Sequence, residues 1–68
     1  MNIGLSIKNG CQIQGKTQKQ LSESVGVYPS TITAYVKNKY DPTVASIEKM
    51  AEFFGVKVSI FISWGEKE

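Results

Sequence analysis

Apolar residues in the middle of the chain recur at intervals of three and four, which is the spacing of one helical face. The first set is Leu21 and Val25, and the second is Ile32, Tyr35 and Val36. Gly26 stands between the two sets, and glycine can adopt the left-handed conformation of a tight turn without steric cost. The pattern predicts two short helices that are joined by a turn and share one core.

Local signals indicate where these two helices begin. Thr17 is suited to be the N-cap of a helix over 18–25, because its hydroxyl oxygen can accept a hydrogen bond from an unpaired amide of the first turn. Pro29 is suited to the first position of a helix over 29–38, since proline loses no hydrogen bond there and its φ is already set. A helix, a glycine turn and a second helix, spanning about 17–38, are typical of a helix-turn-helix motif.

A fourth helix is predicted after the Asp41-Pro42 step, because a residue that precedes proline disfavours the helical conformation. Thr43 is placed to cap this helix, and Gly55 is placed to end it as the C′ residue. Its buried stripe is expected to consist of Val44, Ile47, Ala51 and Phe54.

The two ends of the chain carry different patterns. Ile3, Ile7 and Cys11 form an i, i+4, i+8 stripe that predicts a first helix running to about residue 14. The segment 56–64 alternates as a strand would, but Ser59 and Gly65 could also bracket one or two helical turns. We favour the short helix, because a lone strand would need a partner, such as the same segment of a second copy across a dimer interface.

Length and composition narrow the function classes. The 68 residues are expected to form a single domain, 1–68, with one core. The chain has no histidine and only one cysteine, so it lacks the commonest general base and cannot form an internal disulfide or a zinc site. It also has no run of about 18 apolar residues, and its first residues, MNIGLSIKNG, do not show the basic segment followed by an uninterrupted apolar run that is typical of a signal peptide. We therefore expect a non-enzymatic cytoplasmic protein without a metal, a cofactor, a small-molecule ligand or a membrane partner.

The charge of the chain is unevenly distributed. The net charge is +2, but the first 40 residues hold five lysines against Glu23 alone, while residues 41–68 hold three lysines against five acidic residues. The half that contains the predicted helix-turn-helix is therefore the basic half. A basic surface attracts a phosphate backbone, although solvated surface lysines are an ordinary alternative.

Four short motifs follow one another in a specific order and spacing. They are T-Q-x-x-L at 17–21, V-G-V at 25–27, S-T-I at 30–32 and P-T-V-x-S-I-x-K-M-A-x-x-F-G-V at 42–56. Over about residues 3–65 the chain resembles the Cro and phage-repressor class of helix-turn-helix domains. The resemblance implies an all-α, compact five-helix bundle of the lambda-repressor-like type, which favours a helix in the C-terminal segment, about 57–65.

The resemblance also implies DNA-binding residues. Gln18 matches a glutamine that binds a backbone phosphate at the positive end of a helix, and the implied phosphate contacts are Thr17, Gln18, Lys19, Lys37, Asn38 and Lys39. The residues at the positions nearest base edges are Tyr28, Pro29, Ser30, Thr33 and Ala34. Short hydroxyls and apolar side chains suit thymine methyl groups or water-mediated contacts, so we expect Tyr28, Thr33 and DNA shape to contribute much of the sequence preference.

Three aromatic residues are candidates for a dimer interface. Phe53 and Trp64 can each be simple core residues in a chain that is short of apolar area. The sharper hypothesis is that Phe53, Phe61 and Trp64 contribute to an exposed apolar patch that closes a twofold dimer. A dimer would place two recognition helices about 34 Å apart on a palindromic double-stranded operator.

The sequence therefore predicts a transcriptional regulator of phage, prophage or bacterial type, Cro-like or repressor-like, that occupies an operator through the helix 29–38. The alternative is an antitoxin-like protein-interaction module that uses an exposed aromatic C-terminal surface. The modest charge and the absence of arginine, the usual bidentate contact of guanine, keep this alternative open.

Overall fold

Five helices follow one another along residues 2–66, which are the residues described by the computed structural model. They are α1 (Ile3–Gln14), α2 (Gln18–Val25), α3 (Pro29–Val36), α4 (Val44–Phe54) and α5 (Val58–Ser63). The predicted all-α architecture is confirmed, and so is the short helix in the C-terminal segment. No helix in the described part of the chain is both long and apolar enough to span a membrane.

Side-chain caps fix the starts of three helices. The Thr17 hydroxyl oxygen accepts a hydrogen bond from the Gln20 amide at 3.1 Å, and the Gln20 side chain accepts one from the Thr17 amide at 3.0 Å. Thr43 accepts a hydrogen bond from the Ser46 amide at the start of α4, and Asn2 accepts one from the Leu5 amide at the start of α1. Each cap satisfies an amide that the helix itself leaves unpaired.

The third helix ends two residues earlier than the sequence predicts. Asn38 has a φ of 60°, a left-handed conformation that asparagine tolerates better than most residues, so the helix cannot continue through it. The Lys39 amide then donates to the Ala34 carbonyl at 2.9 Å, which closes the helix end. The segment from Lys37 to Lys39 is therefore a loop with a defined backbone, and the prediction of helix to Asn38 was wrong.

All five helices contribute to one apolar core. The side chains that are fully buried there include Ile7, Leu21, Ile32, Met50 and Phe61. Val44 is not among the buried residues, since 72% of its surface is exposed, and Met50 lies in the core instead. The prediction for Val44 was wrong because this residue is the first of α4, and the helix meets the core only from Ile47 onward.

The packing of the helices places α2 and α3 at the centre of the fold. The second helix packs against both α3 and α4, while α1 packs against α3 and α5. The pair α2 and α3 is therefore supported by packing on two sides, which leaves the outer face of α3 free.

Cys11 of α1 is buried, and this burial raises the pKa of its thiol, although the positive charge of Lys16 acts in the opposite direction.

Candidate nucleic-acid interface

A turn of fixed geometry joins α2 to α3. Gly26 has a φ of 85°, and its amide and that of Val27 both donate to the Ser22 carbonyl, at 2.9 and 3.0 Å. Leu21 and Ile32 are completely buried on either side of the turn. Because backbone hydrogen bonds and core packing both constrain the turn, the relative orientation of α2 and α3 is fixed before any ligand binds.

The outer face of α3 collects the residues that the sequence assigns to base contacts. Tyr28 is the N-cap residue of α3, and 79% of its surface is exposed. Pro29, Ser30 and Thr33 are also exposed, whereas Ala34 is only partly exposed. Residues 28–34 therefore present a tyrosine side chain, the hydroxyls of Ser30 and Thr33, and small apolar groups to solvent.

The hydrogen bonding of Thr33 limits what its side chain can offer. Its hydroxyl donates to the Pro29 carbonyl at 3.2 Å, one helical turn earlier. With the proton engaged in this way, the oxygen is left to accept a hydrogen bond and the methyl group is left for apolar contact. In a major groove these groups suit an amino group on a base edge or a thymine methyl.

The start of α2 carries the groups predicted to bind phosphate. Gln18 and Lys19 occupy the first turn, where the helix provides no acceptor for the backbone amides and carries a partial positive charge. Gln18 is partly buried, while Thr17 and Lys19 are exposed. The Thr17 oxygen is already an acceptor in the cap, but its hydroxyl proton is still available for donation to an anion.

A second set of predicted phosphate ligands follows α3 directly. Lys37, Asn38 and Lys39 are all exposed, in the loop whose backbone is fixed by the left-handed Asn38. Tyr40 continues this loop, and 66% of its surface is exposed. Sequence reasoning did not single out Tyr40, although an aromatic residue within the basic segment K-N-K-Y is a signal that would have identified it, since tyrosine hydroxyls donate to phosphates.

One lysine of the basic half is held against the end of α4. The Lys16 ammonium donates to the Phe53 carbonyl at 2.9 Å and lies 4.6 Å from the centroid of the Phe53 ring. Lys19, Lys37 and Lys39 remain exposed around α2 and α3. The excess positive charge near the predicted interface is therefore carried mainly by these three side chains.

The predicted aromatic patch is only partly accessible. Phe61 is completely buried and stacks with Phe54 at a centroid distance of 5.7 Å, so the prediction that it contributes to an exposed patch was wrong. The short helix α5 directs this ring into the core. The alternation of apolar and polar residues along the segment does not determine which of its side chains face inward. Phe53 and Trp64 are partly exposed, and Trp64 lines a shallow groove with exposed Ile13 between α1 and the end of α5.

Comparison with known proteins identifies the same region of the chain. A family model described as helix-turn-helix matches residues 7–61. An uncharacterized HTH-type transcriptional regulator of Methanocaldococcus jannaschii is 49% identical over 47 residues, which are 68% of this chain and 71% of the relative. The cryptic phage CTXphi transcriptional repressor RstR of Vibrio cholerae is 33% identical over 49 residues, 72% of this chain and 44% of the relative. The chain thus spans less than half the length of the second relative.

Proposed function

This chain belongs to the helix-turn-helix family, and we propose that it regulates transcription by inserting α3 into the major groove of a DNA operator. Sequence-specific binding of double-stranded DNA follows from membership of this family. The observation that carries the proposal for α3 is that its N-terminal residues face solvent. The buried residues Leu21 and Ile32 fix the connection between α2 and α3 that positions them.

The dimensions of α3 suit a major groove. An α-helix with its side chains is about 10 to 12 Å in diameter, and the major groove of B-DNA is about 12 Å wide, so the groove can admit α3. We assign base contacts to Tyr28, Pro29, Ser30, Thr33 and Ala34. Their hydroxyl and apolar groups favour thymine methyls and water-mediated contacts over the bidentate pairs that arginine or glutamine would make.

Phosphate contacts on two elements would fix the register of α3 on the duplex. At the start of α2, we assign Thr17, Gln18 and Lys19 to one phosphate group, because first-turn amides and the helix dipole favour an anion there. After α3, we assign Lys37, Asn38 and Lys39 to a phosphate further along the backbone. The exposure of the two lysines and the fixed backbone at Asn38 support this assignment.

We also propose that two copies bind a palindromic operator. Exposed Ile13 and Ile60, together with partly exposed Trp64, provide apolar surface on α1 and α5, which are not the helices assigned to DNA. Apolar surface of this kind is what a twofold contact between copies would bury. The two α3 helices would then lie about 34 Å apart, one turn of DNA.

Operator occupancy is the proposed mode of regulation. The Vibrio cholerae relative is named a transcriptional repressor, and both relatives are named as regulators of transcription. We propose that this chain likewise represses, by occupying a site that RNA polymerase needs, in the cytoplasm where the DNA lies. The protein-interaction alternative is not favoured, because neither the family match nor the two relatives point to it.

Selection from a pool of random duplex DNA tests the proposal. The purified protein is incubated with the pool at low salt, bound duplexes are recovered and sequenced, and the cycle is repeated. An enriched motif with two inverted half-sites about 10 base pairs apart is the expected result. Recovery of sequences with no common motif would contradict the proposal. Recovery of a single unpaired half-site would contradict only the proposal that two copies bind together.

A further inference from the structure

We propose that Gln14 and Lys16 are positioning residues for DNA binding, because they fasten the phosphate-binding start of α2 to the last turn of α4. This inference rests on the proposed function of the α2 start. It assigns a role to two side chains that neither the family match nor the sequence motifs single out.

Two side chains bind consecutive carbonyl groups at the end of α4. The Gln14 amide donates to the Phe54 carbonyl at 2.8 Å, and the Lys16 ammonium donates to the Phe53 carbonyl at 2.9 Å. Carbonyls in the last turn of a helix have no intrahelical donor, so they are natural acceptors for such side chains. Both hydrogen bonds are partly buried, which protects them from competition with water. We refer to Gln14 and Lys16 with these two carbonyls as the α4 clasp.

The position of the Lys16 ammonium is electrostatically favourable. A positive charge at the carboxyl end of a helix interacts with the negative end of the helix dipole. The same ammonium lies 4.6 Å from the centroid of the Phe53 ring and 6.0 Å from that of Phe54, within the range of cation–π attraction. The hydrogen bond, the helix dipole and the cation–π contacts thus hold the flexible Lys16 side chain in one place. These interactions compete with any contact that Lys16 could make to DNA.

The clasp lies immediately before the start of α2. Gly15 has a left-handed φ of 65°, and the Lys16 amide donates to the Cys11 carbonyl at 2.9 Å, so the junction between α1 and α2 is a closed turn. The Thr17 cap of α2 is the next residue. Because only one peptide unit separates the Lys16 backbone from the cap, a shift of Lys16 moves the first-turn amides of α2 as well.

Core packing constrains a different part of α2. Leu21 and Val25 are buried and hold the middle and end of the helix, but Gln18 is only partly buried and Lys19 is exposed. The first turn of α2 is therefore held by its own cap and by the clasp rather than by the core. Amides that must meet a phosphate oxygen need this second constraint, since a displacement of about 1 Å is enough to lose a hydrogen bond.

Salt dependence separates a positioning lysine from a phosphate-binding lysine. A lysine that neutralises a phosphate releases a counterion, so its removal lowers the slope of log affinity against log salt by about one. A lysine that acts by holding α2 changes the affinity but leaves the number of released counterions unchanged. The clasp predicts the second behaviour for Lys16, whereas Lys19, which is exposed, should show the first.

The test compares Lys16→Met with Lys16→Arg, Gln14→Met and two control substitutions. Lys19→Met removes a predicted phosphate contact, and Lys49→Met removes an exposed charge from the middle of α4 without touching its end. Affinity for the selected operator is measured over a range of salt concentrations, alone and combined with Gln18→Ala. Urea denaturation of every variant gives the folded fraction, so that a simple loss of folded protein is subtracted.

We expect Lys16→Met to weaken operator binding about fivefold with an unchanged salt slope, and we expect its effect and that of Gln18→Ala to be less than additive. Lys16→Arg, which keeps the positive donor, should restore most of the affinity. A salt slope reduced by about one would make Lys16 a phosphate ligand and overturn the proposal. Full additivity with Gln18→Ala, or affinity that only follows the folded fraction, would overturn it as well.

A measurement without DNA separates failure of this inference from failure of the proposed function. In two-dimensional NMR spectra of the free protein, Lys16→Met and Gln14→Met should shift the amide signals of Gln18 and Lys19, while Lys49→Met should not. Unshifted signals would overturn the clasp whether or not the protein binds DNA. If the signals shift but the wild-type protein selects no DNA motif, the clasp stands as a structural device and the proposed function fails.

Discussion

Gly4 of α1 lies directly against the Val36 carbonyl at the end of α3. A Cβ atom added to Gly4 would come within 2.5 Å of the Val36 oxygen and 2.6 Å of the Tyr35 oxygen. No real Cβ approaches an oxygen so closely, so the absence of a side chain at residue 4 is what allows the two helices to pack together at this point. The end of α3, from which the basic loop continues, therefore packs against the first turn of α1.

Replacement of Gly4 by alanine should destabilise the protein. In an unobstructed helix, a change from glycine to alanine adds about 0.5 to 1 kcal/mol of stability. Here the methyl group must push α1 away from α3, and overpacking of this kind costs about 1 to 3 kcal/mol. Urea denaturation of Gly4→Ala measures the net effect, and a variant more stable than the wild type would show that the two helices are not in this contact.

Loss of the Thr17 cap should lower both stability and DNA affinity. Thr17→Ala removes the acceptor of the Gln20 amide, and loss of an N-cap costs about 1 kcal/mol of unfolding free energy. The first turn of α2 should fray, which disorders the amides assigned to a phosphate. Thr17→Ser is the matched control because it keeps the hydroxyl. Urea denaturation and operator titration of both variants check the prediction, which fails if alanine and serine behave alike.

A side chain at Gly26 should strain the turn without creating a clash. A Cβ at this residue would meet no atom within 4 Å, but a φ of 85° is unfavourable for residues other than glycine. Gly26→Ala should therefore cost about 1 kcal/mol through the backbone alone. Gly26→Asn should cost less, because asparagine tolerates left-handed backbone. Thermal or urea unfolding ranks the two variants, and equal stability for alanine and glycine would contradict the geometry of the turn.

The loop after α3 should contribute strongly to the salt dependence of binding. Replacement of both Lys37 and Lys39 by glutamine should reduce the salt slope of operator affinity by about two, because two counterion-releasing contacts are lost. The same loss of affinity should occur on a nonspecific duplex. A control pair, Lys49→Gln with Lys57→Gln, changes the net charge equally at exposed positions outside the proposed interface. Equal slopes for the two pairs would mean that the loop acts only through overall charge.

The features that the sequence predicted correctly are governed by local interactions. Thr17 and Thr43 cap the helices that were expected to begin beside them, and Pro29 opens α3. Each signal acts through hydrogen bonds or backbone angles within about four residues, so no knowledge of the tertiary structure is needed. The candidate base-contacting residues at the start of α3 follow instead from the resemblance to Cro and phage-repressor domains, whose recognition-helix positions they match.

The features that the sequence did not predict depend on distant partners. Phe61 is buried because its ring packs against Phe54 of another helix, and Val44 is exposed because the core begins only one turn further along α4. The contact of Lys16 with Phe53 joins residues 37 positions apart. None of these three features leaves a periodic signal along the chain, since each depends on how the helices are arranged in space.

The most direct test of the account compares the base preferences of the wild type, Gln18→Ala and Thr33→Ala on the selected operator and all its single-base variants. Thr33→Val serves as the control, because it keeps the shape of the side chain and replaces the hydroxyl with a methyl group. If α3 contacts bases while α2 binds phosphate, Gln18→Ala should weaken binding to every sequence equally. Thr33→Ala should instead change the preferred base at one position of each half-site. An unchanged preference in Thr33→Ala, together with unchanged affinity in Gln18→Ala, would contradict the account.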